Sequence, residues 1–212
     1  MIEQLDLSNA LTMVVTGVPH FPSYQQMDEV WKKLWNQHSA RYYTGQDPAL
    51  TYTEYAGLYA EFSKAMSVGF GSFEKWGKNF QLKVKIFSGA DEERIIKDSV
   101  LYIEKHIRFK EQVLVSHGGR ENDFPFISRR IISHRVALPN CLVVGNKAPW
   151  ELNLLDTQEI WKFSAPVYRV SIEALAMTMG ITIPHFDRTE TDIRSSYHEN
   201  PDSPVIKEFT AN

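Results

Sequence analysis

The chain contains a single cysteine, Cys141, among its 212 residues. An intramolecular disulfide is therefore impossible, which favours a reducing compartment. No apolar stretch reaches the roughly 18 residues that a membrane-spanning helix needs, so no membrane partner is expected. The opening residues, MIEQLDLSNA, lack the basic segment followed by an apolar run that marks a signal peptide. These absences together predict a cytoplasmic protein.

The sequence also lacks the charge and the short motifs of several functional classes. Its net charge is −3, so nucleic-acid binding would require a local basic patch rather than a basic protein. The seven histidines show neither HxxxH nor HExxH spacing, which argues against a zinc site. There is no Gly-x-x-x-x-Gly-Lys phosphate loop and no Gly-x-Ser-x-Gly nucleophile elbow.

What the sequence does contain is a succession of strand and helix patterns typical of an α/β fold. The run 11–18 is apolar and β-branched, as in a strand buried on both faces. The other predicted elements, in chain order, are helices over 23–43 and 51–62, antiparallel strands over 63–73 and 78–87, a helix over 90–107, a strand over 112–119, and helices over 123–136 and 171–181. We expect one domain over 1–212, with an irregular C-terminal tail from about 185 to 212.

Helical spacing also predicts which side chains are buried. Ser23 is expected to cap the first helix, and Ser171 the helix that ends at Gly180. The predicted apolar faces of the first two helices consist of Met27, Val30, Trp31 and Leu34, and of Tyr55, Leu58, Tyr59 and Phe62.

Four stretches carry a likeness to a known family. They are VPHFPSY (18–24), SHGGRENDFPFISRRIISH (116–134), LDTQEIWKF (155–163) and SIEALAMTMGI (171–181). In order and spacing they resemble the predicted 3′–5′ exonucleases related to the proofreading domain of family-B DNA polymerases. The likeness extends from about Leu11 to about Phe209. It implies a ribonuclease H-like, DnaQ-type mixed sheet flanked by helices.

The resemblance implies a DEDD site, in which four carboxylates hold two Mg²⁺ or Mn²⁺ ions. The two acids of its first motif correspond to Val14 and Thr16, which cannot replace them. The second-motif acid corresponds to Asp123. Phe209 falls where the third motif has tyrosine, and its acid would be residue 213, beyond Asn212. Asp123 is thus a remnant metal ligand, or alternatively an ordinary acid at a helix N-terminus.

Other residues offer alternatives. Asp156 is a weak candidate metal ligand or a turn cap, and a rearranged active site would combine Asp123 and Asp156 with Glu159 or Asp187. His117 follows a core strand, where it lies on a nucleic-acid-binding rim or is held by structural hydrogen bonds. Two further groups are candidates for phosphate contact, Lys75, Trp76 and Lys78 near the hairpin and Arg129 and Arg130 on the helix after Asp123. The hairpin lysines, which include Lys83 and Lys85, would alternatively be a solvated strand face.

Three functions remain open. The first is an exonuclease-like domain that binds a single-stranded nucleic-acid end, has lost two-metal catalysis and needs no cofactor. The second is an active 3′–5′ exonuclease with a rearranged site that uses Mg²⁺ or Mn²⁺. The third is an interaction subunit completed by a protein partner or by a second copy in a homo-oligomer.

Overall fold

A five-stranded mixed sheet flanked by helices forms the centre of the protein in a computed structural model, which describes residues 6–148, 151–183 and 186–211. The strands are β1 (Ala10–Pro19), β2 (Ser63–Trp76), β3 (Asn79–Ser88), β4 (Val113–Ser116) and β5 (Leu154–Asp156). The helices are α1 (Glu29–Tyr42), α2 (Pro48–Tyr55), α3 (Glu92–His106), α4 (Asp123–Ser133), α5 (Thr157–Trp161), α6 (Ile172–Thr178), α7 (Glu190–Glu199) and α8 (Pro204–Ala211). The predicted α/β class is confirmed. In these described ranges no helix is long and apolar enough to cross a membrane.

The strands lie in the order β3-β2-β1-β4-β5. β2 pairs antiparallel with both β1 and β3, as the sequence predicts for the hairpin. β4 pairs parallel with β1 and β5, and α3 provides the crossover that a parallel connection requires. The register between β1 and β2 shifts once, between Thr16 and Gly17.

Each face of the sheet has its own apolar cluster. The first packs under α3 and α4 and includes Leu11, Met13, Val68, Phe70, Ile96, Ile103 and Ile127. The second packs under α7 and α8 and includes Val18, Met66, Ile193, Tyr197 and Ile206. The second cover is incomplete, since Val14 in the middle of β1 is 42% exposed. The prediction that β1 is buried on both faces throughout is therefore wrong at this position.

The first helix begins later than predicted. Ser23 makes no side-chain capping bond, whereas the Asp28 carboxylate accepts the Trp31 N–H at 2.9 Å and starts α1 at Glu29. Its buried side therefore contains Trp35 rather than the exposed Val30 and Leu34.

The predicted second helix is shorter than expected. α2 ends at Tyr55, and a 3-10 turn over Ala56–Leu58 follows it. Because the helical spacing breaks there, Leu58 is exposed and does not join the predicted stripe.

The C-terminal segment is not the predicted irregular tail. α7 opens with a capping box in which the side chains of Thr189 and Asp192 bond each other's backbone N–H groups. The Ile206 side chain of α8 is fully buried in the second cluster. α7 has few apolar residues and α8 spans only eight residues, which explains why periodicity did not reveal them. By contrast, Ser171 caps α6 as predicted, accepting the Ala174 N–H at 3.2 Å.

A buried carboxylate joins α3 to α4 and to β2. Glu92 accepts two hydrogen bonds from the Arg130 guanidinium, at 2.8 and 2.6 Å, and one from the Ala65 N–H at 2.7 Å. His134 Nε2 lies 2.9 Å from the same carboxylate. Burial by itself raises the pKa of Glu92, but the bonds from Arg130, His134 and Ala65 outweigh it and hold that pKa below its ordinary value.

We expect Glu92→Gln to lower the free energy of unfolding by about 3 kcal/mol, because it leaves the Arg130 charge buried without its partner. Since the folded-state pKa of Glu92 is depressed, its contribution is present above pH 4.5, the ordinary value, and is lost as the pH falls through the folded-state pKa. Urea denaturation at pH 7 and at pH 3.5 measures both effects. Glu93→Gln is the matched control, since Glu93 forms an exposed pair with Lys97 and should change stability by at most about 0.5 kcal/mol. Equal effects of the two substitutions would contradict the assignment.

Candidate functional site

The side chains at the predicted acidic positions lie on the sheet face that α8 covers. Val14 and Thr16 are two residues apart on β1 and therefore point to the same side. They pair with Gly69 and Ser67 of β2. Thr16 is buried, whereas Val14 is partly open to solvent. Neither side chain carries a charge that could hold a metal ion.

Helix α8 approaches this face closely. A Cβ atom at Gly69 would lie 2.8 Å from Thr210 Cγ2 and 3.1 Å from Val14 Cγ1, so glycine is needed for the helix to pack there. The hydroxyl groups of Ser67 and Thr210 are hydrogen-bonded at 2.7 Å and are buried. Methyl and hydroxyl groups of α8 and β2 therefore lie beside Val14, whose side chain stays partly open to solvent.

Asp123 is the first residue of α4, and its carboxylate lies between the ends of β1 and β4. One carboxylate oxygen accepts the Val15 N–H at 3.2 Å, and the other accepts the Ser116 hydroxyl. Burial, together with the smaller effect of the negative charges of Asp156 and Glu190, raises the pKa of Asp123 to about 6, although its two hydrogen bonds act in the opposite direction. The carboxylate thus closes the edge of β1 at the point where its pairing with β4 has ended.

Asp156 has the capping role that was the alternative to metal binding. One of its oxygens accepts the N–H groups of Gly118 at 2.8 Å and Gln158 at 2.9 Å. The other accepts the Arg120 N–H at 2.9 Å. The buried carboxylate therefore caps α5 and fixes the loop after β4.

The remaining acids do not complete a metal site with Asp123. Glu159 pairs with Lys162 at 2.5 Å, and Asp187 lies on the exposed segment before α7. Phe209 packs against Phe186 in the second apolar cluster. Over residues 6–148, 151–183 and 186–211 there is no group of three His, Cys, Asp or Glu side chains suited to holding a cation. The residues present fit neither the four-carboxylate site nor the predicted rearranged one.

His117 connects the end of β4 to two later segments. Its Nε2 donates to the Val170 carbonyl at 2.7 Å, and its Nδ1 lies 2.8 Å from the Thr157 hydroxyl. Because both ring nitrogens have partners within the chain, His117 has the structural role that was the alternative to a nucleic-acid contact.

The two arginines of α4 differ. The prediction that Arg130 contacts phosphate is wrong, because its guanidinium is bound to Glu92 and donates to the Ala60 carbonyl at 2.9 Å. Arg129 is exposed, with its Nε 3.6 Å from Glu61. Of these two arginines, only Arg129 is placed to meet an external anion.

The hairpin residues Lys75, Trp76 and Lys78 are all exposed and lie together at the β2–β3 turn. The pairing of β1 with β2 ends at Leu11 and Ser72, so the turn projects beyond the rest of the sheet as a two-stranded arm. Gly77 has a φ of +61°, which the tight turn requires. The indole of Trp76 is 74% exposed and has lysines on both sides in sequence.

One buried cation near the site was not predicted. Arg194 of α7 donates to the carbonyls of Gly17 and Glu54 at 3.1 Å and pairs with Glu190 at 2.5 Å. Its guanidinium lies against Gly57, which has no side chain to obstruct it. In the sequence Arg194 stands in a polar stretch, with no signal that it is buried.

The chain matches no model of a known protein family and has no significant sequence similarity to a curated protein. The exonuclease resemblance therefore depends on the quoted motifs and their positions.

We expect Asp123→Asn to stabilise the protein at pH 8 by up to about 3 kcal/mol, which is the free-energy equivalent of raising a pKa from 3.8 to about 6. The oxygen of the asparagine amide can still accept the Val15 N–H, and its NH₂ group can donate to the Ser116 hydroxyl oxygen. Because the folded-state pKa of Asp123 is raised, the wild type loses stability as the pH rises through about 6. The advantage of the variant should therefore vanish below about pH 4.

Urea denaturation in EDTA at pH 4 and pH 8 measures this difference. Asp156→Asn is the control, and it should destabilise the protein at pH 8 because its amide NH₂ cannot accept the Arg120 N–H. A loss of stability in Asp123→Asn at pH 8 would show that the ionised carboxylate is favoured, against our expectation.

Proposed function

We propose that the chain is a ribonuclease H-like domain of the 3′–5′ exonuclease group that binds single-stranded nucleic acid and lacks two-metal hydrolysis. The strand order β3-β2-β1-β4-β5, with an antiparallel β1–β3 meander extended by parallel β4 and β5, supports this fold. So does the C-terminal helix α8, which lies over the face of β1 that would carry the acids. The single buried cysteine fits the cytoplasmic location predicted for such a domain.

The observation that carries the loss of hydrolysis is the chemistry of the face around Val14. Two dications held near one another need several converging carboxylates, both to bind them and to balance their charge. Here Val14 and Thr16 replace two acids, and Asp123 directs its oxygens to Val15 and Ser116. Thr210 of α8 meets Gly69 beside Val14.

The projecting hairpin supports the retention of binding. A tryptophan between two lysines combines a stacking surface for a base with attraction for the phosphate backbone. The segment 73–88 contains four lysines and one glutamate, although the whole chain has a net charge of −3. Glu74, its one acid, is paired with Lys83 at 2.6 Å, which leaves the lysines at the turn facing solvent.

The test of hydrolysis uses end-labelled single-stranded DNA and RNA, incubated with the purified protein and Mg²⁺ or Mn²⁺. We expect no shortening of either strand with either metal. Metal-dependent shortening that disappears in Asp123→Asn would overturn the proposal in favour of the active exonuclease.

The test of binding measures the dissociation constant for the same strands in EDTA over a range of salt concentrations. The double substitution Lys75→Gln and Lys78→Gln should reduce the slope of log K against log salt by about 1.4, since each phosphate contact on a single strand contributes about 0.7. Trp76→Ala should weaken binding by about 1–3 kcal/mol through lost base stacking.

The control for the binding test is Lys33→Gln with Arg41→Gln, which removes the same charge from exposed positions of α1 at the opposite end of β1. It should leave the salt slope unchanged. Equal losses in the control and the hairpin variants would show that the hairpin is not the binding surface.

A further inference from the structure

We propose that the free edge of β3 accepts an extended peptide of alternating acidic and apolar residues as a sixth strand of the sheet. This inference is independent of the proposed nucleic-acid binding, which uses the hairpin turn. In the part of the chain that the structure describes, β3 pairs with β2 alone and lies at the end of the strand order. Every second residue of β3 therefore turns its backbone N–H and C=O groups away from the sheet.

The edge is long and regular. β3 has ten residues, and its pairing with β2 runs without a break from Asn79 to Ser88. It contains no proline and no bulge, so its backbone groups stay available for pairing, and its lysines are the feature that would discourage an uncharged or basic strand. At the other edge of the sheet β5 has three residues and offers far less backbone.

The two faces of β3 carry different chemistry. Phe80, Leu82 and Val84 point to the α8 side and are 41%, 53% and 51% exposed, so α8 does not cover them. Lys85 and Lys83, the latter paired with Glu74 at 2.6 Å, point to the α3 side. Phe87 lies on the same side and packs against Tyr102 at a ring distance of 5.9 Å. An added strand would therefore meet apolar groups on one face and positive charge on the other.

A cleft beside the edge extends the positive surface. Its volume is about 260 Å³, and its lining includes Lys85, Arg94 and Lys207 as well as the carboxylate of Asp98. The Lys85 ammonium lies 5.0 Å from the Phe87 ring centroid, on the α3 side of the strand. Arg94 is 3.9 Å from Asp98, a distance that leaves the guanidinium able to meet another acid. The cleft thus suits acidic side chains of the added strand.

Charge also favours this occupant over a second copy of the chain. Two copies of β3 joined antiparallel about a two-fold axis at Val84, near the centre of the strand, would bring Lys83 of each copy opposite Lys85 of the other. Like charges on adjacent strands are destabilising, and opposite charges are favourable. An alternating acidic and apolar peptide satisfies both faces of β3.

The probe is an end-blocked, fluorescent peptide of alternating glutamate and valine, as long as β3, titrated with the full chain and followed by anisotropy. The double substitution Lys83→Glu and Lys85→Glu should weaken its binding about tenfold. The same substitution should strengthen binding of the peptide in which lysine replaces glutamate. Lys33→Glu with Arg41→Glu is the matched control and should leave both affinities unchanged.

Two N-methylated probes distinguish strand addition from simple charge attraction. One carries N-methyl groups on all valines and the other on all glutamates, and only one of these sets can face β3 in a paired strand. We expect one probe to lose binding and the other to keep it. Equal affinities of the two probes would overturn the proposal.

Two further measurements distinguish the peptide site at the β3 edge from the nucleic-acid site at the hairpin and from a dimer interface. The hairpin variant Lys75→Gln, Trp76→Ala, Lys78→Gln should keep its peptide affinity even where nucleic-acid binding is lost, so the two proposals can fail separately. Sedimentation of the protein alone should show a monomer. A dimer that Lys83→Glu with Lys85→Glu alters would assign the edge to a second copy and overturn the peptide proposal.

Discussion

The central strand β1 sets the constraint that the rest of the structure obeys. It is hydrogen-bonded on one side to β2 and on the other to β4, and helices pack over both of its faces. A carboxylate at the buried position of Thr16 would lose most of its hydration, which is costly unless a cation compensates it. Thr16 avoids that cost, and α8 brings Thr210 against Gly69 beside the partly exposed Val14. Close packing of α8 and an open cleft for two metal ions are competing uses of the same space.

The buried charges that the chain does retain are each given partners. Glu92 has a guanidinium and a backbone N–H, Asp156 has three backbone N–H groups, and Arg194 has two carbonyls and a carboxylate. These contacts join separate elements, so they hold the architecture together. Asp123 differs, because its two hydrogen bonds do not offset burial beside other acids, and its pKa is raised to about 6. This carboxylate is an acceptor at a strand edge, a role that differs from both the metal ligand and the helix N-terminal acid expected from the sequence.

Four of the five strands were predictable because their signals are local, whereas the three-residue strand β5 was too short to give one. Side-chain alternation predicts β3, and helical spacing predicts the crossover helix α3. The antiparallel β2–β3 pair and the parallel β1–β4 pair both formed as expected. The burial of individual side chains was less predictable. The exposure of Val30, Leu34 and Leu58 depends on where a helix begins or ends. Tertiary partners were the least predictable. The spacing of α4 places Arg130 nearer than Arg129 to its apolar side, but it does not reveal that the partner is Glu92, because Glu92 lies on α3, which precedes α4 by many residues.

The proposed loss of the acids and the proposed retention of nucleic-acid binding are physically compatible. A cleft of four carboxylates repels a phosphate backbone until two dications are bound, so binding at an intact site depends on metal. Neutral side chains at positions 14 and 16 carry no such repulsion. The lysines at the hairpin turn would attract phosphate without a cation to bridge them. In the proposed function, nucleic-acid binding therefore needs no metal.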